Sequence, residues 1–89
     1  MNAIISVVGK DSVGILARVS SVCEKMNANV VDVSQTVLKD YFAMVMVVNI
    51  DSLKISFNEF VDSFEVVKEN KNVDIHIMHE DIFNAMHKI

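Results

Sequence analysis

The chain has no proline and no tryptophan, only two glycines, one cysteine and one arginine. Each shortage excludes something. A lone cysteine, Cys23, can build neither an intrachain disulfide framework nor a cysteine-based zinc cluster, which suits a reducing cytoplasm. A lone arginine, Arg18, leaves little for bidentate phosphate or base-edge recognition, and the formal net charge of −4 disfavours nucleic acid and anionic membranes. Without proline, with glycine only at Gly9 and Gly14, and with no low-complexity stretch, no linker is visible. No apolar run approaches the roughly 20 residues that span a bilayer, and the first residues do not read as a signal peptide.

What the chain has in plenty is apolar side chains, 52% of its 89 residues. The length fits one domain over residues 1–89. A domain this short buries only about 60–65% of the surface that its unfolded chain exposes. Part of the apolar surplus is therefore expected in a subunit interface.

Hydrophobic periodicity divides the chain into elements. Residues 2–8 are β-branched and nearly all apolar, which predicts a central strand buried on both faces. From Val13 the period becomes helical, with Ile15, Val19, Val22 and Met26 on one face, Leu16 and Cys23 beside them, and Arg18, Ser21 and Lys25 opposite. Asn27-Ala28-Asn29 is a stop signal, because Asn tolerates the left-handed conformation that ends helices. Residues 30–38 alternate, with Val31, Val33 and Val37 on one face and Asp32, Ser34 and Thr36 on the other, as in an edge strand. Lys39-Asp40 predicts a hairpin into a strand over 41–50 that is apolar on both faces.

Ser56-Phe57-Asn58-Glu59 matches the capping box, so a helix should follow with Phe57, Phe60, Val61, Phe64 and Val67 on its buried stripe. The polar run 69–72 should end it. Val73, Ile75 and Ile77 then alternate with Asp74 and His76 in a second edge-like strand, and residues 81–89 can form a short amphipathic helix. The order β-α-β-β-α-β predicts an α+β, ferredoxin-like sandwich: a four-stranded antiparallel sheet, two helices on one face and a short C-terminal helix. The central strands are apolar on both sides, so the open sheet face needs a cover, either the C-terminal segment or a second subunit.

The most informative stretch is Gly9-Lys10-Asp11-Ser12-Val13-Gly14-Ile15, joining the first strand to the first helix. Asp11 or Ser12 can cap that helix, Gly14 permits close approach, and the free N–H groups of the first turn suit a carboxylate or phosphate. Spacing alone favours a capped turn with a packing glycine, because short Gly patterns are common.

Val7-Val8 followed by Asp11-Ser12-Val13-Gly14-Ile15 resembles the strand and D-x-x-G-I/L turn of ACT domains. Asn29-Val30-Val31-Asp32-Val33 resembles that family's entry into the second strand. Gln35-Thr36-Val37 and Ile82-Phe83-Asn84-Ala85-Met86 resemble short ACT proteins related to the regulator of the glycine cleavage system. The resemblance implies a dimeric regulatory module that binds a small molecule, most often an amino acid. It places the ligand between Asp11, Ser12, Val13, Gly14 and Ile15 and the Asn29, Val30, Val31 and Asp32 region, often of a partner chain. Asp11 would cap the helix and receive an ammonium group, and Gly14 and Ile15 would offer backbone N–H groups to a carboxylate. Asn29 stands where many ACT domains carry Gly and leaves a ligand less room. The signal would pass to another protein, so far unidentified.

No catalytic set, cofactor site or metal site is expected. His76, His79, His87, Glu80 and Asp81 read as solvated positions, with His76 and His79 on opposite sides of a strand. Met44, Met46, Met78 and Met86 read as core or interface, and Cys23 as a small core residue. Two other readings stand beside the sensor. One is an interaction or dimerisation module without a metabolite. The other, weaker, is an acylphosphatase-like enzyme, suggested by the Gly14–Arg18 spacing but lacking the rest of that signature.

Overall fold

A computed structural model describes residues 1–10, 12–68 and 73–87, with Ser12 and Val13 described in the backbone only. Strand β1 (Asn2–Gly9) leads into helix α1 (Ser12–Met26), followed by the hairpin β2 (Asn29–Leu38) and β3 (Tyr41–Asn49). Two short helices come next, α2 (Phe57–Asp62) and α3 (Glu65–Lys68), then β4 (Val73–His79) and α4 (Glu80–Met86). The sheet order is β2-β3-β1-β4, all neighbours antiparallel. This is the ferredoxin-like βαββαβ plan expected from the order of elements.

The core lies on one side of the sheet. Ala3, Ile5 and Val7 of β1 and Phe42, Met44, Met46 and Val48 of β3 point at Ile15, Val19, Phe60, Phe64 and Val67 from the helices. Phe60 meets Phe64 edge to face, ring centroids 5.1 Å apart, which suits their quadrupoles.

Local chemistry explains most boundaries. Ser56 caps α2: its hydroxyl accepts from the Glu59 N–H at 3.2 Å and donates to the Glu59 carboxylate at 3.1 Å. Helix α1 ends in a Schellman turn, with Ala28 N–H on the Cys23 carbonyl at 2.8 Å and Asn27 N–H on the Glu24 carbonyl at 3.2 Å. Asn27 sits at φ 63° to make it. Lys39 takes φ 55° in the two-residue hairpin loop.

Three expectations need correction. The single helix expected after Ser56 is broken at Ser63-Phe64. There the Ser63 hydroxyl donates to the Phe60 carbonyl at 2.5 Å, and the Phe64 N–H bonds only three residues back, to Val61. The valines of β2 do not share one face. Val30 pairs with Val48 and Asp32 with Val47, so Val31 is the extra residue of a β-bulge and is exposed. Finally, β1 is not buried throughout its outer face, since Val8 is 44% exposed. Residues 69–72, expected to end the second helix, and residues 88–89 of the expected C-terminal helix lie outside the described residues.

Helix α4 accounts for part of the open face. It packs on β1 and β4, and Ile4, on the outer side of β1 and outside the main core, is only 3% exposed. At the same end the N-terminal ammonium donates to Asp51 at 2.6 Å. That bond, the Asn49 amide and the ammonium's charge hold the Asp51 carboxyl below its ordinary value. A depressed carboxyl contributes stability above its unfolded pKa and loses it as pH falls through the folded value.

Phe60→Ala is expected to cost about 3–5 kcal/mol by emptying the core centre, and Ser56→Ala about 1 kcal/mol by uncapping α2, both read from urea unfolding midpoints. Acidification from neutral pH to below the carboxylate range should weaken the wild type more steeply than Asp51→Asn. Parallel pH profiles for the two would disprove that contribution.

Candidate functional site

The turn that leaves β1 and the start of β2 were expected to form one ligand pocket. Within one chain they are far apart. Gly9 pairs with Phe42, which pairs with Val37, whereas Asn29 pairs with Asn49, which pairs with Asn2. The two segments thus sit at opposite ends of the sheet, about 23 Å apart at about 3.3 Å per strand residue.

At the turn end, a cleft of about 330 Å³ is lined by Lys10, Val37, Lys39, Asp40, Tyr41 and Phe42. The Lys10 ammonium lies 5.6 Å from the centre of the Tyr41 ring, a cation–π contact that holds a positive charge beside the cleft. Helix α1 begins next to it at Ser12, so its N–H end faces this end of the sheet. Ile15 is fully buried in the core. Its side chain anchors the helix in the core. Gly14 is partly accessible in the first turn. Asp11 and the side chains of Ser12 and Val13 lie outside the described residues.

At the opposite end, a cleft of about 410 Å³ is lined by Ser20, Cys23, Glu24, Asn27, Ala28, Asn29 and Val30. Asn29, Val30, Val31 and Asp32 are all exposed, and the Asp32 carboxylate accepts from the Val33 N–H at 2.9 Å. Two of the expected residues, Asn29 and Val30, therefore line a cleft, but at the carbonyl end of α1, where the helix dipole opposes an anion.

Sequence reasoning missed three features: the separation of the two segments, the Lys10–Tyr41 contact and the bulge at Val31. The first was within reach. A strand, a crossover helix and a parallel strand place the end of the first strand and the start of the next at opposite ends of a sheet.

Other candidate side chains are also placed. Cys23 is buried on α1, and burial pushes its thiol up to about 11. His76 and His79 are on opposite faces of β4, opposite Ser6 and Ala3 respectively. His76 Nε2 is 3.2 Å from the Asp74 carboxylate, and His79 stacks on Phe57 at 3.9 Å. Among the described residues, no group of three or more His, Cys, Asp or Glu is arranged to hold a metal ion. Arg18 lines a shallow groove between α1 and α3 with Ala17, Ser21, Val22, Lys25 and Val66.

Residues 2–59 match the family model of the ACT domain. The chain belongs to the ACT domain family. It is 45% identical to a UPF0237 protein of Listeria monocytogenes over the whole of both chains. The solved structure of an ACT domain protein from Streptococcus pneumoniae superposes with a TM-score of 0.76 at 44% identity, covering 93% of each chain. A candidate glycine cleavage system transcriptional repressor shares the fold alone, with a TM-score of 0.68 at 12% identity over 89% of this chain and 47% of that one. ACT domains form a regulatory, typically ligand-binding family. Among the described residues of this ACT domain, no helix is long and apolar enough to cross a membrane.

Because burial suppresses the thiolate, Cys23 in the folded ACT domain should resist alkylation by iodoacetamide at pH 8 and react once the chain is unfolded in urea. Equal modification of both states, followed by mass spectrometry, would contradict its buried position.

Proposed function

We propose that this ACT domain is a non-catalytic cytoplasmic sensor, acting as one unit over residues 1–89. A dimer of it binds a small carboxylate, an amino acid by preference. The observation that carries the reading is the separation of the two site segments in one chain, combined with the free edge of β2.

Strand β2 is ten residues long, and every one of them except Val33 is exposed. It holds no Lys, Arg or Pro and a single charge, Asp32. Natural edge strands that stay unpaired are usually short, charged or kinked; β2 has a kink only at its Val31 bulge, and Val33 to Leu38 are regular and uncharged. Antiparallel pairing of β2 with the same strand of a second copy continues the sheet. It also carries Asn29 to Asp32 of one chain toward the Lys10 and Tyr41 end of the other. The site is then composite. The N–H end of α1 receives the ligand carboxylate, Gly14 lets it approach closely, and Asp11 receives its ammonium group. Asn29 to Asp32 of the second copy close the pocket, with Asn29 limiting the size of side chain admitted. Ligand binding biases how the two copies pair, and a partner protein reads that change.

Isothermal titration against the twenty amino acids should give saturable heat with at least one. The same ligand at 100 times its Kd should stabilise the fold by about 2.7 kcal/mol. Gly14→Val should weaken it about tenfold or more, a loss of about 1.4 kcal/mol. Gln35→Lys with Val37→Lys, which charges the β2 edge, should halve the solution mass and abolish the heat. A flat response to all twenty would remove the sensor and leave an ACT domain used only for protein interaction.

A further inference from the structure

The helix layer carries a second surface, away from the turn and from the entry of β2. Helix α3 buries Val67 and leaves its neighbour Val66 53% exposed beside α1. Between the two helices runs a groove of about 230 Å³, lined by Ala17, Arg18, Ser21, Val22, Lys25 and Val66. Helix α1 also packs on β2 and α3 on β4, so the groove lies over the middle of the layer. Pairing at the β2 edge leaves it uncovered.

Its charge runs against that of the chain. The net charge is −4, yet both charged residues that line the groove are cations, and one is the only arginine. Arg18 and Lys25 are exposed, and among the described residues neither is in an ion pair. Lys25 also complements the carbonyl end of α1 from its last turn, but Arg18 is mid-helix and has no such role. The two are seven residues apart, which puts them on one side of the helix about 10.5 Å apart along its axis. Ala17, Val22 and Val66 supply an apolar floor and wall beside them.

We infer that this groove docks an acidic amphipathic helix of a different protein. That helix sets an apolar side chain against Ala17, Val22 and Val66, and two carboxylates seven residues apart on Arg18 and Lys25. The pitch decides the spacing: carboxylates two turns apart match cations two turns apart, and the apolar residues three and four positions on fall between them. The volume decides against a free metabolite, since small-molecule pockets run to about 300–1,000 Å³ and this groove holds little more than a side chain. Two cations on an acidic chain are too few to hold it on an anionic bilayer, at about 1 kcal/mol each. A second copy does not fit either. Among the described helices of this chain, none carries carboxylates seven residues apart.

The probes are two alanine-rich helical peptides. Each carries Leu three and four positions after a first charged residue and a second charged residue at the seventh, with Glu at both charged positions in one and Lys in the other. Fluorescence anisotropy with the full chain should show saturable binding of the Glu peptide, with a Kd at or below about 1 mM and at least tenfold tighter than the Lys peptide. Arg18→Glu with Lys25→Glu should reverse that preference, which a merely structural role for these residues would not do. Val66→Ser should weaken the Glu peptide about fivefold through the lost apolar contact. Both changes are at exposed positions, and either variant tests the groove if the other fails to fold. Equal binding of the two peptides, no reversal in the double variant, or capture by phosphatidylglycerol vesicles in place of the Glu peptide would overturn the proposal. The groove does not rest on the sensor reading: a flat amino-acid titration removes the sensor alone, and equal peptide binding removes the groove alone.

Discussion

The right-handed crossover from β1 through α1 into β2 is the constraint on which the rest of this structure depends. It runs β1 and β2 parallel with β3 inserted between them, and it holds α1 on one side of the sheet. The inner side chains of β1 and β3 then have a single place to go, under Ile15, Val19, Phe60, Phe64 and Val67. The same geometry sends the β1–α1 turn to one end of the sheet and the entry of β2 to the other. A ligand pocket that used both would have to draw them from two chains, because the crossover runs β1 and β2 parallel.

The second consequence concerns surface. One layer of helices on one side leaves a sheet with one covered face, one open face and two edges. Most of the exposed large apolar side chains lie on that open face, on α4 or along β2. The apolar surplus of the composition therefore does not all enter the core. Helix α4 covers the Ile4 corner. The remaining apolar surface is spread over Val8, Val45, Tyr41 and Leu38 on the face and over Val30, Val31 and Val37 along the edge.

Much of the fold was legible from local signals. The capping box at Ser56, the αL residue at Asn27 and the hairpin at Lys39-Asp40 each act within a few residues, so their chemistry is written in adjacent letters. Less legible were features decided by competition between near-equal alternatives. The break at Ser63 depends on a serine hydroxyl displacing a helical turn, and the apolar stripe runs through it unchanged. The bulge at Val31 depends on how β2 registers against β3. Four valines in nine residues are compatible with more than one register. For the candidate site, the residue types were readable, and the separation of Gly14 from Asn29 was implied by the strand–helix–strand order, but the Lys10–Tyr41 contact was not, because it joins residues far apart in the chain.

By itself, the sequence determined the ferredoxin-like order of elements, the buried stripe of α1, the Ser56 cap and the helix stop at Asn27, since each follows from periodicity or short-range hydrogen bonding. Only the tertiary structure decided where those residues stand relative to one another. Distance between segments is set by the parallel direction of β1 and β2, which the order of elements implies, and by strand register, which no local pattern encodes. It placed Gly9 and Asn29 at opposite ends of one sheet, set β2 at a sheet edge and covered only the Ile4 corner of the outer face with α4.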